Sequence, residues 1–220
     1  MQTPSQVSKR PGKQQTATRD PERSRRSILK AATDEFVAHG FSGASVNEIA
    51  ARAAINKRML YHYFGNKEEL FLAVLESTYA QIRTGERTLE LDHLQPMQAI
   101  ERLVRFSYDH FFEHPDFLTL LNIENMYQAR HLKKSAKIQQ MHSPLVAQIQ
   151  DVLKRGQVDG VLRADVDPVE LYITIASLCF FHMSNRHTLS VIFNQELASP
   201  DALDRRREHV VAVITCFLRA

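Results

Sequence analysis

Cysteine is nearly absent: only Cys179 and Cys216 occur in 220 residues, each within an apolar run. That excludes a disulfide framework and predicts two buried thiols in a reducing compartment. Glycine is scarce too, at seven residues, and the long periodic segments between breaks predict an almost entirely helical chain. The longest apolar stretch, Leu171 to Met183, contains Thr, Ser and His. A membrane span needs about 20 apolar residues, so this stretch predicts a buried core helix. The N-terminal twenty residues are polar and lack the apolar core of a secretion signal. The expectation is a soluble, cytoplasmic protein with no membrane partner.

Catalytic signatures are missing as well. There is no G-x-S-x-G, no phosphate-cradling glycine loop and no cysteine beside a plausible base, so no enzyme and no cofactor are expected. His110 and His114 have the i, i+4 spacing of a metal pair, but no third ligand is near and Pro115 ends the helix, so no metal is expected. Asp165 and Asp167 read as a turn and a helix cap.

What the chain does have is an uneven charge. Residues 1–65 carry 11 Lys+Arg against 5 Asp+Glu, a net of +6, and the remainder carries 17 against 20, a net of −3. A basic end on a slightly acidic body suggests a polyanion partner for that end alone. Four of those cations (Lys9, Arg10, Lys13, Arg19) fall in residues 1–19, whose Pro, Gly, Gln, Ser and Thr show no periodicity. That segment reads as a disordered basic arm, with a possible role on phosphates or in the minor groove.

Helix punctuation is dense after the arm. Asp20-Pro21 is a cap followed by proline at the first helical position, and Gly40 stops the apolar period that follows. Ser45 and Glu48 form a capping box before a short second helix, and Asn56 caps a third, "KRMLYHYF", which Gly65 ends. Asn66 and Glu69 open a longer fourth helix. Further starts are read at Pro96, Pro115, Ser143-Pro144, Asp167-Pro168 and Ser199-Pro200. The segment from Pro115 is expected to continue as helix through "ARHLKKSAKIQQM".

Two short helices joined by a tight turn form a helix-turn-helix pattern. On the second of them Leu60 and Phe64 share one face, suited to packing on Ile49 and the first helix. Lys57, Arg58, Tyr61 and His62 lie on the others, where cations and polar-tipped rings suit phosphates and base edges. Tyr63 fits a plug between helices as well as it fits a DNA contact.

The stretch "ASVNEIAARAAINKRMLYHYFGNKEELFLAVLE", Ala44 to Glu76, with "RDPERSRRSILKAATDEFVAHGF" before it, resembles the DNA-binding segment of the TetR family of bacterial transcriptional regulators. The resemblance covers about residues 19–80. It implies that Ser45 and Tyr61 bind phosphates, that Lys57, Arg58 and His62 face the groove, and that Lys67 touches the backbone. Two departures stand out. Ala54 occupies a turn position where the family usually has glycine, and Arg58-Met59 replace a pair of small residues, which should change the bases read.

The expected fold is all-α: a disordered arm (1–19), an N-terminal three-helix helix-turn-helix domain (20–66) and a C-terminal helical ligand-binding and dimerisation domain (67–220). In the C-terminal part, His110, Asn125, Gln128, His182 and Arg186 are polar residues on otherwise apolar helices, candidates to line a cavity for a small organic effector. Arg186 could pair with a carboxylate. The last two helices have more apolar surface than one face needs, which predicts a four-helix bundle with a second copy. The leading expectation is a homodimeric repressor released from an inverted repeat in double-stranded DNA by its effector. The alternative is a DNA-binding or chromosome-organising protein that needs no effector.

Overall fold

Local capping chemistry sets most helix starts. In the computed structural model, which describes residues 20–220, Asp20 accepts from the Glu22 amide and opens α1 (Pro21–Gly43). Ser45 accepts from Glu48 and opens α2 (Val46–Arg52). Asn56 accepts from the Met59 amide at 2.8 Å and opens α3 (Lys57–Phe64). Asn66 does the same for α4 (Lys67–Arg87). Each cap removes one of the unpaired amides at a helix start. The cations Lys9, Arg10, Lys13 and Arg19 lie outside the described residues.

Gly40 has φ +67° inside the assigned span of α1, so the regular helix breaks there as expected. Ala54, in the turn between α2 and α3, has φ +53°. A left-handed L-residue costs roughly 1–2 kcal/mol, and glycine would give back about 0.5–1 kcal/mol in chain entropy. Ala54→Gly is therefore expected to stabilise the fold by about 0.5–1 kcal/mol. Denaturant unfolding checks this, and an unchanged or lower stability would show that the turn is unstrained.

The remaining helices are α5 (Pro96–Glu113), α6 (Pro115–Met126), α7 (Ala136–Val158), α8 (Pro168–Phe193) and α9 (Pro200–Leu218), with short 3-10 turns at Leu91–His93 and Leu132–Lys134. Among the described residues there is no sheet, only an isolated antiparallel bridge between Leu162 and Arg219. No described helix is long and apolar enough to cross a membrane.

Three expectations fail here. Helix does not continue from α6 into residue 141, because Gln128 and Ala129 have positive φ and turn the chain. Ser143-Pro144 does not start α7 either: Ser135 caps it, and Pro144 lies inside. Gln140, whose carbonyl loses its partner, and Pro144 are both on the exposed side, so water can replace the missing bond. Cys179 is buried as predicted, but Cys216 is exposed on α9.

The apolar interior forms two clusters. The first joins Ile28 and Phe36 of α1, Ile49 of α2, and Leu60 and Phe64 of α3 to Leu70, Phe71 and Val74 of α4 and to Leu120 of α6. The second begins at Ile82 and fills the space among α5, α7, α8 and α9. Helix α4 contributes to both, with one end under the short helices and the other in the larger core.

Candidate nucleic-acid interface and core cavity

Leu60 is fully buried and Phe64 nearly so, which fixes α3 by two side chains one turn apart. Lys57, Arg58, Tyr61 and His62 are consequently left exposed, and Met59 is half-buried. Arg58 and His62 make no ion pair among the described residues, while the Lys57 ammonium lies 5.7 Å from the Tyr61 ring centroid. Tyr63 packs against the first cluster and beside Phe64, which is the structural one of its two readings.

Ser45 is held from behind. The buried Glu35 carboxylate accepts from its backbone N–H at 3.0 Å and approaches Arg52 of α2 at 3.3 Å. Glu35 thus ties α1 to both ends of α2, a role with no local sequence signal. Lys67 has a partner within the protein. Its ammonium donates to the Ser42 carbonyl at 3.2 Å and sits over the Phe41 ring, and burial lowers its pKa. In this structure it ties α4 to the end of α1.

Between α4, α5, α6, α7 and α8 lies a pocket of about 300 Å³, open to solvent on the side of Asn125, Ile173 and Ser177. Its wall is a run of rings: Tyr79, Phe111, Phe117, His142, Tyr172 and Phe180. Tyr79 meets Phe117 edge-on at 5.4 Å and His142 at 5.5 Å, and His142 meets Tyr172 at 6.3 Å. Asn125 and Ser177 add polar groups, and none of the lining side chains is a Lys, Arg, Asp or Glu. One layer back, the buried Arg83 donates to the Tyr172 hydroxyl at 2.9 Å and lies 2.8 Å from Glu86. Burial pushes the Glu86 carboxyl up to about 7, against the pull of Arg83.

Of the five residues expected in such a cavity, Asn125 alone lines it. His110 is buried against Phe106 and His114 instead, and burial, then the His114 charge, pushes its pKa down to about 4. His182 pairs through Nδ1 with the Tyr108 hydroxyl at 3.1 Å. Arg186 donates to the Met183 carbonyl of its own helix, and Gln128 is exposed in the turn after α6. A histidine or arginine on an apolar helix found a neighbouring partner in each case, so polarity alone did not mark the cavity. The residues missed (Tyr79, His142, Tyr172) come one to a helix, on α4, α7 and α8. Among the described residues no group of three metal-ligating side chains comes together.

The segment after α6 joins the cavity to the first cluster. Glu124, next to Asn125, accepts from the His131 and Leu132 amides at 2.8 and 2.9 Å and contacts His131 Nδ1 at 2.6 Å. The His131 ring rests on Phe41 and Phe71. Around this buried pair, the Tyr127 and Ser42 hydroxyls share a hydrogen bond, and Arg130 and Lys134 both reach Glu68 of α4.

Comparison with known proteins agrees with this geometry. Residues 28–74 match the model described as bacterial regulatory proteins, tetR family, and residues 96–214 match the tetracyclin repressor-like C-terminal domain. The chain is 41% identical over 181 residues to the HTH-type transcriptional repressor NicS of Pseudomonas putida, covering 82% of this chain and 85% of the relative. It is 35% identical over 161 residues to the HTH-type transcriptional repressor SCO4008 of Streptomyces coelicolor, covering 73% and 79%. The crystal structure of SCO4942 from Streptomyces coelicolor shares the fold with a TM-score of 0.66 at 24% identity, over 89% of this chain and 98% of that one.

Proposed function

Given that the chain belongs to the TetR family of bacterial regulatory proteins and is a DNA-binding transcriptional regulator, we propose that it is a homodimeric repressor. Each copy reads one half of an inverted repeat with α3, and a small organic molecule in the ring-lined cavity releases it. The observation that carries this is the exposed set Lys57, Arg58, Tyr61 and His62 on a helix anchored by Leu60 and Phe64. Ser45 and Tyr61 serve phosphates, and Arg58, Met59 and His62 face base edges. The names of the two relatives support repression over activation.

Helix α4 supports the coupling. Phe71 sits in the first cluster and Tyr79 lines the cavity, eight residues apart, or about 12 Å of helix. A ligand that displaces Tyr79 therefore shifts the base on which α3 rests. Two half-sites lie about 34–36 Å apart on one face of DNA, so a small change in the spacing of the two α3 helices weakens both contacts together.

Two substitutions test the surface, using the DNA upstream of the protein's own gene. Tyr61→Phe should weaken binding to every sequence by a similar factor, because a lost phosphate contact carries no sequence information. Arg58→Ala should relax preference at one base pair and cost about 1–3 kcal/mol there. An Arg58→Ala protein with unaltered preference in a binding-site selection would remove Arg58 from base reading. Uniform coating of any DNA, insensitive to added metabolites, would favour the effector-independent reading instead.

A further inference from the structure

We propose that the cavity takes an uncharged, flat molecule of one or two aromatic rings, whose ring hydroxyl sits between the Tyr172 hydroxyl and the His142 imidazole. This rests on the reading of the chain as an effector-released repressor, and it names the effector's chemical class.

About 300 Å³ is at the small end of ligand cavities. Ring edges and faces prefer offset or edge-on contact with another ring, and Tyr79, His142 and Tyr172 form a chain of such contacts that a flat ligand can extend. An aliphatic of the same volume would fill the space without those contacts.

Hydrogen-bond roles then fix the functional group. Arginine only donates, so the Tyr172 oxygen accepts from Arg83 and its own O–H remains to donate. The Arg83 charge behind it strengthens that donor. His142 Nδ1 lies 3.0 Å from the Ile138 carbonyl, which only accepts, so Nδ1 carries the proton and Nε2 is the acceptor. Burial lowers the His142 pKa, which keeps the ring neutral and Nε2 available. One donor and one acceptor on neighbouring rings match a single group that accepts and donates at once: a hydroxyl on the ligand ring.

Charge decides between this and the rival, an aromatic carboxylate. No lining side chain is a cation, and Arg83, behind the wall, is turned to the Tyr172 hydroxyl at 2.9 Å and to Glu86 at 2.8 Å. A carboxylate would find neutral donors there but no cation of its own, and moving a charge out of water without a counter-charge is costly.

The test titrates the full-length protein with phenol and 2-naphthol beside benzoate and cyclohexanol, following thermal shift and release from an operator fragment. The expected result is saturable binding of the two phenols at least ten times tighter than benzoate or cyclohexanol, with DNA release. His142→Phe, which keeps a ring and loses the acceptor, should bring phenol to within threefold of benzene. Tightest binding by benzoate or cyclohexanol, with DNA release, would overturn the hydroxyl-aromatic class and leave the effector reading standing. No binding by any probe also overturns the class. In that case a small-molecule extract of the host cells decides the rest: stripping of the protein from the operator preserves the effector reading, and failure to strip it removes that reading as well.

Discussion

Glu124→Ala is expected to destabilise the protein by about 3–5 kcal/mol, the range for breaking a buried, fully hydrogen-bonded charged group. The Glu124 carboxylate is 1% exposed and accepts from two backbone amides and faces one imidazole nitrogen. Alanine leaves the His131 amide and ring, both buried, with nothing to replace the lost oxygens. An unsatisfied buried donor costs about 1–3 kcal/mol, and two or three such groups reach the stated range. Glu124→Gln keeps one acceptor oxygen for the amides, so it should lose roughly half as much. The loss should also be local at first. Residues 127–135 hold His131 against Phe41 and Phe71, so their amides should exchange with solvent fastest in the variant. Denaturant unfolding and amide exchange measure both effects; a Glu124→Ala protein within about 0.5 kcal/mol of wild type, the range of ordinary surface substitutions, would refute the argument.

That segment also marks where reading the sequence stopped working. Caps at Asp20, Ser45, Asn56, Asn66, Asp167 and Ser199 all formed, because a side chain and an amide two or three residues on are neighbours in any helix start. The same locality made α3 legible: Leu60 and Phe64 inside, with cations and polar-tipped rings outside, follow from helical spacing alone. Pro144 misled for a related reason. Proline normally marks a helix start, and only its exposed position, set by how α7 packs, lets it lie inside. The cavity was hardest to read. Tyr79, His142 and Tyr172 are far apart in the chain and come together only when α4, α7 and α8 pack. Each is an ordinary half-buried ring by itself. The Lys67 contact was invisible in the sequence because its partner, the Ser42 carbonyl, belongs to the end of another helix.

Phe181→Asp combined with Phe217→Asp is expected to turn a dimer into a monomer and to weaken operator binding by about 100- to 10,000-fold, the usual gain from linking two binding modules. On α8, Val169, Ile173 and Phe181 are each 45% exposed or more, and their spacing by fours and eights places them on one face. On α9, Val213, Cys216 and Phe217 are exposed in the same way. Two neighbouring helices with apolar outer faces are unusual on a surface that stays in water, and two copies of such a pair bury them in a four-helix bundle. Such a bundle would also cover the exposed Cys216, whose apolar surroundings predicted burial. Phe181 and Phe217 are 57% and 48% exposed in the protomer, so aspartate at either is tolerated by the fold while placing charges against charges across the two-fold axis. Sedimentation should give a protomer-sized species with an unchanged helical spectrum. Binding of an isolated half-site should then be nearly unchanged, because α3 itself is untouched, and the loss should be confined to the full inverted repeat. A double variant that remains dimeric would place the interface elsewhere. A monomer that binds the full repeat as tightly as wild type would show that one copy suffices to hold it.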